Sequence, residues 1–179
     1  MMGRGDHHPR AKEGLTIMTH LFSTWRMAYI EAPKHDGCIF CDFPKERRDA
    51  ERLIVHRGDA CFVIMNLYPY NPGHMMVVPY RHTCEFESLS PEEAGEMWAL
   101  AARAVRTLKE LMHPDGLNLG MNLGKSAGAG IDQHLHLHVV PRWNGDTNFM
   151  PVLADTRSIP QAVEETYEKI VSAWAHTEG

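Results

Sequence analysis

The chain has 179 residues, enough for one domain with a real hydrophobic core and too few for two large ones. Its formal charge is −5, from 18 Lys and Arg against 23 Asp and Glu, and the basic residues are scattered, which argues against a nucleic-acid-binding stripe. No apolar run approaches the roughly 18 to 20 residues needed to span a bilayer, so no membrane partner is expected.

Residues 1 to about 19, opening with MMGRGDHHPRAKEG, carry Gly, His, Arg and Lys without periodicity and read as a mobile tail. They lack the apolar centre of a signal peptide, so the chain is expected to remain in the cytoplasm. Residues 20–179 are expected to form one domain. LFSTWRMAYI supplies Trp25 and Tyr29 as packing anchors, GCIFCDF comes next, and the charged run KERRDAERL reads as solvated.

CFVIMN from Cys61 reads as a buried strand and MMVVP from Met75 as another. YPYNPG between them reads as a turn, because Pro69, Pro72 and Gly73 cannot continue a ladder. SLSPEEAGEMWALAARAVRTLKELM is the clearest helix, with Ser90 as N-cap, Pro91 at the first position and Glu93 completing a capping box. Ala94, Met97, Trp98, Ala101, Val105, Leu108 and Met112 follow helical spacing and predict one buried face. His113-Pro114-Asp115-Gly116 stops that helix, LNLGMN from Leu117 starts a strand, and GKSAGAG from Gly124 is a flexible loop.

DQHLHLHVVPRW then places His134, His136 and His138 at alternate positions. In an extended strand these three imidazoles share one face and Leu135, Leu137 and Val139 share the other, whereas a helix would scatter them. IPQAVEETYEKIVSAWA closes the chain as a helix, with Val163, Tyr167, Ile170, Val171 and Trp174 on one side. Hairpins, one long helix and a closing helix predict an α+β domain with a mostly antiparallel sheet.

Three strand histidines admit three readings: a cluster satisfied by water and backbone, a metal site, or a nucleophile whose neighbours hold its tautomer and stabilise charge. Cys38 and Cys41 have the spacing of half a tetrahedral zinc site and need two further ligands. A disulfide is disfavoured in a reducing compartment.

His134-Leu135-His136-Leu137-His138-Val139-Val140 resembles the motif of the histidine-triad (HIT) family, His-φ-His-φ-His-φ-φ with φ apolar. Upstream, Asn66 through His74, then Pro79 and His82, is similar to that family's first conserved block, and the likeness runs from about Cys38 to Pro141. The resemblance implies a HIT-like fold, a homodimer, and hydrolysis or nucleotidyl transfer at the α-phosphorus of a small-molecule nucleotide substrate. It implies His136 as the nucleophile, His138 on the phosphoryl oxygens and His74 beside the phosphate. It implies Asn66 at the ribose, Asn122 at phosphate or ribose, Gly128 and Gly130 with backbone N–H groups near phosphate, and Ile39, Phe40 and Phe43 around the base. Gly130 departs from members that carry Gln or Ser there, at a position that in the family helps handle the leaving group.

Family members with this Cys-x-x-Cys imply a structural zinc held by Cys38, Cys41, His82 and His134. Cys84 is a rival to His82 if its segment is extended. PRWNGDTNFMP, together with LFSTWRMAYI, resembles the subset acting on dinucleoside polyphosphates such as diadenosine tetraphosphate, by hydrolysis or phosphorolysis. Trp143 there suits either a second base or a dimer interface. Two other classes stand beside this reading: a metal-dependent hydrolase with His134, His136 and His138 as ligands, and a low-turnover nucleotide-binding module acting through a partner.

Overall fold

The structure is a computed structural model, and it describes residues 37–146 and 162–177. The expected N-terminal tail, Trp25 and Tyr29 lie outside the described residues.

Two short helices come first, α1 (Ile39–Glu46) and α2 (Asp49–Arg52). Strands β1 (Ile54–Arg57), β2 (Cys61–Met65) and β3 (Met75–Pro79) follow as an antiparallel meander. The long helix α3 (Pro91–Met112) leads to β4 (Gly116–Gly120) and β5 (Leu137–Arg142), and α4 (Val163–His176) comes last. The strands form one sheet in the order β1-β2-β3-β5-β4, with every pairing antiparallel. The expected α+β architecture is present.

Alternation divides the sheet. Val63, Met65, Met75, Val77, Leu137 and Val139 face α3 and α4 and form the larger core with Met97, Ala101, Leu108, Ile170 and Trp174. Phe62, Ile64, Met76 and Val78 point the other way and pack on Phe40 of α1. That second face carries the histidines.

The capping box of α3 is complete: Ser90 Oγ accepts from Glu93 N–H, and Glu93 returns a carboxylate to Ser90 N–H. Glu93 is also forked by Arg81 at 2.8 and 2.7 Å, which holds its carboxyl down at about 2. Gly73 turns the β2–β3 hairpin at φ 82, and a Cβ there would meet Met112 Sδ at 2.7 Å. This glycine answers both a backbone and a packing demand.

Three expectations need correction. Trp98 is 59 % exposed, because at 100° per residue it falls beside the stripe of Met97, Ala101, Ala104 and Leu108. The charged run KERRDAERL is mostly exposed, as expected, and holds the last two residues of α1 and all of α2 before β1, with Arg57 forked to Asp49. LNLGMN begins its strand one residue early, at Gly116. The regular strand expected to carry all three histidines begins only at Leu137. The β3–β5 register pairs Val77 with Leu137, so continuing it would set Leu135 against Pro79, which has no N–H to give. Leu135 N–H turns instead to Thr83 O at 2.7 Å.

Candidate active site and metal centre

The sharing of one face survives the early end of the ladder. His134, His136 and His138 are 1, 5 and 9 % exposed and lie on the Phe40 side of the sheet, while Leu137 and Val139 enter the larger core. Phe40 sits 5.5 Å from the His134 ring and 5.1 Å from that of His136, and the His136 and His138 rings are 4.7 Å apart.

Each imidazole has one nitrogen committed to a fixed partner. His134 Nε2 donates to Pro79 O at 2.8 Å, which turns the lone pair of Nδ1 toward Cys38 Sγ at 3.2 Å. His136 Nδ1 donates to the carbonyl of His134 at 2.8 Å, leaving Nε2 as a lone pair. His74 Nδ1 receives the N–H of Tyr70 at 3.2 Å and lies 3.3 Å from Asn66 Nδ2. His74 Nε2 therefore carries the proton and donates to His138 Nδ1 at 2.9 Å. In turn His138 Nε2 carries a proton, and this buried atom has no protein partner. A buried donor left without an acceptor costs about 1–3 kcal/mol, so it marks a place for an anion or polar ligand.

The site is electrically neutral. Burial, reinforced by the neighbouring His138 and His136, pushes His74 down to about 3, and burial with His136 pushes His138 down to about 4. Burial likewise lowers His136 and His134. Near pH 7 all four rings are uncharged. The arrangement presents one nucleophilic nitrogen, at His136, and one N–H donor, at His138.

A cleft of about 330 Å³ opens beside His138, walled by Tyr70, Asn118, Gly120, Asn122 and Arg142. Asn122 thus shares a cavity with His138. Asn66 is engaged on both ends of its amide, accepting from Tyr68 N–H at 2.9 Å as well as approaching His74. Ile39 and Phe43 are half-buried against the Phe40 cluster, whereas Phe40 itself is wholly buried. Gly128 and Gly130 lie in the exposed loop before His134, Gly128 at φ 91. Trp143 is half-buried just past β5, its N–H 3.2 Å from Asp146 Oδ2. Reading the sequence did not single out Asn118, Arg142 or Asp146, although Arg142 and Asp146 stand at the i, i+4 spacing of an ion pair.

Cys38, Cys41, His82 and His134 converge with their donor atoms all within 4.8 Å of one another. Cys41 Sγ lies 3.2 Å from His82 Nδ1 and 3.6 Å from His134 Nδ1. Such separations are close to the roughly 3.3–3.8 Å edges of a tetrahedron with Zn–N and Zn–S bonds of ordinary length. Two thiols and two imidazoles, one of them already in the metal-ready tautomer, fit a zinc ion. Cys84 is exposed and outside this group, which removes it as a rival to His82. Among the described residues His134, His136 and His138 do not form a ligand set of their own.

The HIT domain family model matches residues 47–145. A protein of Mycobacterium tuberculosis described as an AP-4-A phosphorylase is 40% identical over 193 residues, covering 97% of this chain and 98% of that one. The crystal structure of a zinc-bound histidine triad family protein from Mycobacterium smegmatis superposes with a TM-score of 0.64 at 32% identity, over 78% of this chain and 94% of that one. A hypothetical histidine triad nucleotide-binding protein from Sulfolobus tokodaii gives 0.64 at 26% identity, over 78% and 93%. With the family model spanning more than half of its length, this chain belongs to the HIT domain family.

Proposed function

We propose that the protein is a nucleotide phosphorylase or hydrolase acting on dinucleoside polyphosphates such as diadenosine tetraphosphate, through a nucleotidyl-histidine intermediate on His136. The observation that carries this reading is the pairing of a lone pair at His136 Nε2 with an orphaned donor at His138 Nε2. The near full-length likeness to an AP-4-A phosphorylase supports the substrate class.

The chemistry follows from the tautomers. His136 Nε2 attacks the α-phosphorus in line, a P–N bond forms, and the P–O bond to the leaving group breaks with its electron pair departing on oxygen. Positive charge on the substituted imidazole is met by the His134 carbonyl at Nδ1–H. His138 Nε2–H donates to a phosphoryl oxygen, and this bond strengthens as negative charge builds. Water or inorganic phosphate then attacks the same phosphorus and returns the electron pair to Nε2, releasing AMP and a proton or ADP. Asn66 offers its remaining N–H and lone pair to the ribose hydroxyls, and Asn122, Gly128 and Gly130 meet the phosphate. Ile39 and Phe43 flank the base with Phe40 as buried backing, and Trp143 stacks on a second base.

Cys38, Cys41, His82 and His134 would hold zinc as a structural ion, since four protein ligands would leave no position for substrate. Held there, it would tie α1 to the segment that presents His136. We further propose a cytoplasmic homodimer. β4 is an edge strand of the sheet, its last three residues are exposed, and Leu119 within it is 41 % accessible, a surface that pairing would cover. No helix among the described residues is long and apolar enough to cross a membrane.

The test is turnover of diadenosine tetraphosphate and adenosine phosphoramidate, each with and without inorganic phosphate. Release of AMP or, with phosphate, ADP is expected. Tight binding with no conversion overturns the enzymatic reading in favour of a binding module, and activity that requires added metal in the zinc-replete protein favours metal-dependent hydrolysis.

A further inference from the structure

Beyond His138 the catalytic face continues along β5 to Val140 and Arg142, since residues two apart share a side. The register sets Gly120 against His138, Asn118 against Val140 and Gly116 against Arg142, so β4 floors the same path with small or polar residues. The cleft follows this path, with His138 and Arg142 both among its lining residues. The two stand four positions apart on the strand, about 13 Å between their backbones.

Arg142 is held in place. Its Nε and one terminal nitrogen fork Asp146 at 2.6 and 2.9 Å, and its other terminal nitrogen donates to Asn118 Oδ1 at 2.8 Å. Asp146 in turn accepts from Asn71 Nδ2 at 2.7 Å and from Trp143 N–H. The carboxylate side is only 11 % exposed, whereas the arginine side chain is 42 % exposed and borders the cleft. The pair thus has its acid behind and its guanidinium in front, a fixed set of donors of the kind suited to phosphate oxygens.

In-line attack by His136 requires the departing oxygen to lie on the far side of phosphorus from Nε2. A leaving group that carries several phosphates must then run away from His136, and the cleft toward Arg142 is the space beside His138 that receives it. We infer that Arg142, positioned by Asp146 and Asn118, binds the leaving-group phosphates and makes the enzyme selective for polyphosphate-linked substrates. An incoming phosphate acceptor, which must approach the same face of phosphorus, would use the same donors. This inference rests on the reading of the protein as a nucleotidyl-transferring enzyme.

Arg142→Gln and Arg142→Lys are compared with the wild-type chain, with thermal melts to establish folding. The substrates are diadenosine tetraphosphate, whose leaving group bears phosphates, and adenosine phosphoramidate, whose leaving group is ammonia. For Arg142→Gln, KM for diadenosine tetraphosphate is expected to rise about tenfold or more, as loss of a hydrogen bond to a charged group does. Turnover of the phosphoramidate is expected to stay within about twofold of wild type, and Arg142→Lys, which keeps the charge, to fall between. Titrating inorganic phosphate separates the two sources: a raised KM for it as well means that the acceptor shares the subsite, and an unchanged one confines the subsite to the leaving group. Equal losses on both substrates, or no loss on either, overturn the inference while leaving the enzymatic reading intact. Wild-type protein that converts neither substrate removes that reading, and this inference with it.

Discussion

His136 Nδ1 lies 2.8 Å from the backbone oxygen of His134, the residue whose own Nδ1 faces Cys38 Sγ at 3.2 Å. The proposed nucleophile is therefore oriented by the main chain of a proposed metal ligand. Anything that anchors His134 also fixes which nitrogen of His136 is free.

Metal content tests that arrangement first. Purified protein is expected to hold roughly one zinc per chain at the four converging donors, and Cys38→Ser or His82→Ala to lose it with a lowered melting temperature. Cys84→Ser is expected to retain it. Burial and the adjacent Cys38 thiol raise Cys41 to about 11, so uptake of the ion must expel thiol protons. Apparent zinc affinity is expected to fall with falling pH, as measured by competition with a chromophoric chelator.

His74 is wholly buried, and its Nε2 donates to His138. His74→Ala deprives His138 Nδ1 of its proton donor and frees the ring to take the other tautomer, which removes the N–H aimed at phosphate. Turnover is expected to drop by about 10²–10³, as loss of one preorganised donor does, with KM little changed. Nitrogen chemical shifts of the His138 ring report the tautomer independently of activity.

Stability should depend on acid in a defined window. His74 and His138 ionise near 6.5 when unfolded but only near 3 and 4 when folded. Between those limits the unfolded chain binds more protons, so stability declines as pH falls from about 6.5 toward 4 and is unaffected by these groups above it. Each contributes at most about 1.4 kcal/mol per pH unit. Denaturant midpoints across that range check the slope, and His74→Gln is expected to flatten it.

The α3 cap provides a contrast remote from the chemistry. Ser90→Ala removes the acceptor for Glu93 N–H and is expected to cost about 1 kcal/mol in urea unfolding while turnover stays at the wild-type level.

Much of this was legible in the chain because local rules and tertiary demands coincide there. Ser90, Pro91 and Glu93 specify a helix start by themselves, and the alternation about His136 specifies a shared face wherever the backbone is extended. Trp98 was misplaced because hydrophobicity alone does not say which edge of an apolar stripe meets the sheet. α1 was hidden by Pro44 inside it, normally a breaker, and by the charged residues after it. The early end of β5 depends on which residue of a distant strand stands opposite, and that residue is Pro79. Arg142 and Asp146 were likewise silent, since only the fold brings Asn71 and Asn118 to them.

The most direct measurement is a single-turnover reaction of diadenosine tetraphosphate, quenched in base to preserve a phosphorus–nitrogen bond and read by peptide mass spectrometry. The expected result is an adenylyl group on the peptide containing His136, acid-labile and missing from His136→Asn. Complete conversion with no adduct at any time, or an adduct on a different residue, would contradict the assignment of His136 as the nucleophile.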